Sequence, residues 1–167
     1  MFTKLDDFFA SHQQASEATI KLLDNLTDES LGQAIAPGHR TLGQVAWHIA
    51  TTIPEMMRRT GLELPVLDHE TPPPATGKEI LDAYRRASTE LREALKREWS
   101  DAQLLETDDM YGEQWTRGLT LRILLDHEVH HRGQLTVLMR QAGLTVPGIY
   151  GPAKEEWARF GMETPPY

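Results

Sequence analysis

Apolar residues recur at three- and four-residue intervals in four separate stretches of the chain, and each stretch predicts an amphipathic helix. The first covers residues 2–26, where Leu5, Phe8, Phe9, Ala15, Ala18, Thr19, Leu22 and Leu26 share a face. His12 lies one turn beyond Phe8 on that stripe and reads as a packing residue at the edge of the core. The second helix is predicted from an N-cap at Thr41 to about Thr60, with Gly61 ending it and Leu42, Val45, Ile49, Ile53 and Met56 facing inward. The third spans 77–99 through Ile80, Tyr84, Ala87, Leu91, Ala94 or Leu95, and Trp99. The fourth starts near Thr116 and runs to Gln141 or Ala142, where Gly143 stops it.

The connections are long. Residues 27–40 are rich in breakers and cap residues and read as a loop with room for one helical turn. Residues 61–76 contain Pro65, Pro72, Pro73 and Pro74 and can extend about 50 Å, so the second and third helices need not be neighbours. His69, within this loop, reads as a surface residue. Pro54 removes a backbone donor inside the second helix and predicts either a kink or a restart there. Residues 100–116 read as another link, acidic in the middle, and the tail from Val146 to Pro152 as extended, with a short helix over 154–160 carrying Trp157 and Phe160. The expectation is an all-α fold with long inter-helix connections and an extended C-terminal tail, forming a single domain over residues 1–167.

Composition narrows the chemistry. With no cysteine, the chain has no disulfide, no thiolate ligand and no cysteine nucleophile of its own, so a metal would be held by histidine, carboxylate or water. The net charge of −8, with basic residues scattered among acids, speaks against a nucleic-acid partner. No apolar run reaches the ~20 residues of a membrane span and the start of the chain does not resemble a signal peptide, so a cytoplasmic location without a membrane partner is expected.

The candidate chemistry lies in the fourth helix. His127 and His131 are four residues apart, which places their Cβ atoms about 5–6 Å from each other on one face, the spacing of a chelating pair. Leu124, Leu135 and Leu138 lie within about 40° of His131 on the wheel, so the pair faces the core, where polar groups need partners. His48, at the edge of the second helix's apolar stripe, can look into an interhelical cleft and supply a third imidazole. Three histidines leave a coordination position for water or substrate, the arrangement of catalytic rather than structural metals. Imidazole donors suit zinc or nickel, with iron(II) or manganese(II) as alternatives.

Other residues near this group carry weaker signals. His127-Glu128-Val129-His130-His131 also matches the H-E-x-x-H pattern, in which Glu128 would be a general base of a hydrolase. No histidine follows His131, however, so the common extended versions of that pattern fail. Glu128 and Gln134 are the candidates to assist catalysis beside the metal, whereas His130 points elsewhere and Glu55, two turns from His48, reads as a solvated residue at the mouth. On the back of the fourth helix, Gly133 between Val129 and Val137 suggests close approach of another backbone, from a neighbouring helix, the tail or a second copy of the chain. A homodimer is the expectation carried forward.

Trp47-His48-Ile49-Ala50, the pair within His130-His131-Arg132-Gly133-Gln134-Leu135 and its preceding turn, and the tail Pro147-Gly148-Ile149-Tyr150-Gly151-Pro152 together resemble the DinB family of metal-dependent proteins. The resemblance implies a four-helix bundle, often dimeric, with a divalent metal on His48, His127 and His131. It also implies a small-molecule substrate, since the family includes S-transferases that use low-molecular-weight thiols. Three readings follow: an enzyme that activates such a thiol or water, a non-catalytic metal- or small-molecule-binding module, and a helical scaffold whose histidines are ordinary core polar groups.

Overall fold

The computed structural model describes all residues except Val66, Asp68, His69, Pro165 and Tyr167. The surface reading of His69 therefore lies outside the described residues. Four long helices form: α1 (Leu5–Leu23), α2 (Leu42–Arg59), α3 (Gly77–Glu98) and α4 (Arg117–Gln141). α1 and α2 each lie against both α3 and α4, so the bundle closes with α1 and α2 on one diagonal. The long α2–α3 connection does not carry the chain past a neighbour: these two helices pack directly on each other.

The ends follow the local chemistry. Thr41 caps α2 by accepting from the Gln44 amide N–H, while the Gln44 side-chain oxygen accepts from Thr41 N–H at 2.9 Å. Thr116 caps α4 in the same manner through Leu119 N–H, and Gly61 and Gly143 follow α2 and α4 in the left-handed conformation. The turn allowed in the first loop is a 3₁₀ segment over Asp28–Gly32, and the tail carries another over Lys154–Phe160. Pro54 neither ends nor restarts α2, which is continuous through it. The Thr52 hydroxyl donates to the His48 carbonyl at 2.7 Å, one turn earlier.

The link before α4 is more ordered than expected. After a 3₁₀ turn at Asp101–Leu105, β1 (Thr107–Met110) and β2 (Glu113–Thr116) pair antiparallel, with Met110 opposite Glu113 and the two-residue turn Tyr111-Gly112 between them. Both turn residues have positive φ, 61° and 89°, as a type I′ turn demands. Asn or Asp normally occupies the first position, so Tyr111 gave no hairpin signal.

Gly118, in the first turn of α4, is dictated by contact: a Cβ there would lie 2.0 Å from the Phe2 carbonyl oxygen. That contact and the Phe2 N–H bond to the Gly118 carbonyl seat the N-terminus on α4.

His12 is fully buried against Phe8, ring centroids 5.3 Å apart, and neither ring nitrogen has a hydrogen-bond partner. Burial first, and the Arg92 guanidinium second, lower its pKa from 6.5 to about 4. Its folded pKa lies below the unfolded one, so the neutral ring contributes stability that is complete above pH 6.5 and is lost as the pH falls through about 4. Between pH 7 and 4.5 this single group should remove about 2–3 kcal/mol. Urea titrations at the two pH values should show His12→Leu losing less stability on acidification than the parent by that amount; equal losses would exclude the assignment.

Candidate metal centre

α2 and α4 lie side by side, and their contact brings His48 to the His127/His131 face. The Nε2 atoms of His48 and His127 are 3.2 Å apart, and those of His131 and His127 3.0 Å apart. The rings meet at interplanar angles of 66°, 71° and 89°, so they surround a common point rather than stack. Two nitrogens bound tetrahedrally to one ion at 2.0–2.1 Å lie about 3.3 Å apart, close to the spacing here. One ligand atom from each residue falls within 4.8 Å of the others, and among the described residues this is the group of three or more His, Cys, Asp or Glu side chains able to hold an ion.

The electrostatics favour lone pairs over protons. Burial, then Arg40 and the other two imidazoles, lower His48 to about 4, against an opposing effect of Glu55. Burial, His131, His130 and Arg40 lower His127 to about 4, again opposed by Glu55. His131 is also lowered, chiefly by burial. All three rings are therefore neutral at pH 7, the state in which imidazole ligates. His131 Nδ1 lies 2.7 Å from the Gln134 Oε1, an oxygen that only accepts, so Nδ1 carries the proton and Nε2 keeps its lone pair. The Gln134 amide nitrogen lies 3.1 Å from His130 Nε2, which places exposed His130 behind the glutamine rather than among the three.

Glu128 lies elsewhere. Its Oε1 accepts from the Tyr84 hydroxyl at 2.7 Å, from Arg132 Nη1 at 2.8 Å and from the Thr19 hydroxyl, all within the bundle. Glu128 and Arg132 are each 3% exposed, so α4 buries a wider arc than the histidine stripe suggested, and the H-E-x-x-H reading loses its base. Groups of the neighbouring α1 and α3 engage the carboxylate instead. Arg132 also donates to the Ala15 carbonyl and, through Nη2, to the Tyr150 hydroxyl of the tail.

Two clefts meet the imidazoles. One is lined by His48, His127, Glu55, Arg59, Tyr111 and Trp115. Glu55 is no free surface carboxylate: it accepts from Arg59 Nε at 2.8 Å and from the Tyr111 hydroxyl at 2.6 Å, and the Arg59 guanidinium sits 4.1 Å from the Tyr111 ring centroid. The left-handed strain at Tyr111 thus places an aromatic wall beside the site, a role no sequence pattern announced. The other cleft, lined by Arg40, Gln44, Trp47 and His48, includes a second residue that the sequence reading passed over. The signal for Arg40 was slight: a cation just before the Thr41 cap, inside a loop noted for its breakers.

Gly133 does not meet another backbone within the chain. Among the described residues no heavy atom outside α4 lies within 4 Å of a Cβ built there, so neither a neighbouring helix nor the described part of the tail is its reason.

Comparison with known proteins agrees with this architecture. The chain is 48% identical over 165 residues to the uncharacterized protein YrdA of Bacillus subtilis (strain 168), covering 99% of each. The crystal structure of a DinB-like protein from Bacillus cereus ATCC 10987 superposes with a TM-score of 0.86 at 48% identity, over 90% of this chain and 100% of that one. A second, the DinB-like YjoA of Bacillus subtilis, shares the fold with a TM-score of 0.69 at 17% identity, over 88% and 99% of the two chains. The DinB family model matches residues 1–165, and with the full-length likeness to YrdA this places the chain in the DinB family.

Proposed function

We propose that the chain binds one divalent transition-metal ion, zinc or nickel before iron(II) or manganese(II), through His48, His127 and His131, and acts as an enzyme on a small-molecule substrate there. The observation that carries this reading is the convergence of three neutral imidazoles from two helices at coordination spacing. When bound, such a cation supplies a Lewis-acid centre that holds a thiol as thiolate or brings a water's pKa towards 7. The protein's own residues do the positioning. Gln134 fixes the His131 tautomer, and the Glu55–Tyr111–Arg59 wall shapes the approach beside His48 and His127. Because the chain has no cysteine, any thiol arrives as a cosubstrate; membership of the DinB family, whose resemblance implied S-transferases that use low-molecular-weight thiols, makes such a transferase the leading reaction class and a hydrolase the second.

The test is elemental analysis of protein prepared without a histidine tag, followed by turnover with thiols plus electrophiles and with esters and amides. One ion per chain with thiol-dependent loss of an electrophile supports the transferase. Hydrolysis without thiol supports the second class, and a bound ion without turnover reduces the protein to a binding module. Absence of any ion, with stability indifferent to chelators, overturns the proposal.

A homodimer is proposed on the exposed back of α4, where Val129 is 43% exposed one turn before unfilled Gly133. Sedimentation at micromolar concentration should give twice the chain mass, and Val129→Asp should weaken association at least ~10-fold, the ~1.4 kcal/mol that one desolvated charge readily exceeds. A monomeric parent protein would exclude it.

A further inference from the structure

Beside the imidazoles lies a cavity of about 480 Å³, a size suited to a small organic ligand. Ile35, Val45, Val137 and Leu138 give it apolar walls, and Arg40 and His131 also line it. Two of those wall residues are unusually exposed for their type, Ile35 at 59% and Val137 at 46%. Apolar side chains left in water around a concavity mark a surface that a ligand covers.

Arg40 supplies the polar half of the argument. It lines both this cavity and the cleft beside His48, which Glu70 also lines, and among the described residues no ion pair holds its guanidinium in place. In a protein of net charge −8, it sets a guanidinium beside a group suited to hold a dication. A guanidinium presents parallel N–H donors whose spacing matches a carboxylate.

We propose that the cavity binds a carboxylate-bearing compound, with Arg40 holding the carboxylate and the walls of Ile35, Val45, Val137 and Leu138 covering an apolar body directed at His131. Arg40 is then the specificity-determining residue of the centre. The inference rests on the metal-site reading for its catalytic meaning, although the carboxylate preference itself is measurable with or without the ion.

The experiment is calorimetric titration of the untagged full-length protein, metal-loaded and metal-free, with 4-phenylbutyrate and with 4-phenylbutanamide, which share an apolar body and differ in charge. The acid should bind the metal-loaded protein at least 10-fold more tightly than the amide. Arg40→Gln should erase that preference, and Arg40→Lys should restore part of it, with one ion per chain retained in both variants. Equal binding of acid and amide, no measurable binding of either, or a preference untouched in Arg40→Gln would overturn the proposal. A preparation that takes up no metal but keeps an Arg40-dependent preference sinks the metal reading and supports the carboxylate site; one that takes up metal without the preference does the reverse.

Discussion

His48→Ala, His127→Ala and His131→Ala should each reduce metal content from near one ion per chain to below a tenth, measured on protein dialysed against a weak chelator. Losing one of three imidazoles leaves a bidentate site, and affinity should fall by more than 100-fold, well beyond the 10–100-fold typical of losing only a supporting hydrogen bond. Gln134→Ala belongs in that smaller class, because it removes only the acceptor at His131 Nδ1. Metal should also stabilise the parent: an ion at about 1,000 times its dissociation constant contributes about 4 kcal/mol, which the three alanine variants should lack. Unchanged metal content in any of them would show that residue to be no ligand.

The second large effect is structural. Arg132→Met should destabilise the protein by about 3–5 kcal/mol, because it strands the Glu128 carboxylate among Thr19 and Tyr84 without a counter-charge. Burial, followed by the nearby Glu128 charge, raises the Tyr84 hydroxyl above its ordinary pKa, so this tyrosine remains a neutral hydrogen-bond donor to the carboxylate. Pairing the change with Glu128→Gln should recover much of the loss, since the remaining groups are neutral and can still share hydrogen bonds. Denaturant unfolding of the two single variants and the double variant measures the coupling. A double variant as unstable as the sum of the singles would mean that the ion pair is not the unit holding α4 in place.

These two sites show where the sequence was legible. The helices were readable because their apolar stripes and caps at Thr41, Thr116, Gly61 and Gly143 act locally, and chain-neighbour chemistry decides them. His127 and His131 were readable as a pair because one helix turn fixes their spacing. His48 depended on two helices meeting, and the wheel placed it only at a margin. The hairpin was missed because Tyr111 occupies a position that usually advertises itself with Asn or Asp. Glu128 was misassigned for a related reason: its angle on α4 is a property of one helix, but its partners Thr19 and Tyr84 come from α1 and α3, more than forty residues away. Arg40 and Glu55 likewise acquire meaning only from what the fold sets beside them.

The tail gives the buried charges their cover. Val146 is buried, Lys21 donates to the Gly148 carbonyl, and the Tyr150 hydroxyl accepts from Arg132, so residues 146–150 lie over the end of the Glu128–Arg132 pair. A guanidinium sealed in this way is shielded from bulk water only while the strap remains seated. This stretch of the tail thereby sets the dielectric in which the buried Glu128–Arg132 pair operates, from the side of α4 away from the imidazoles.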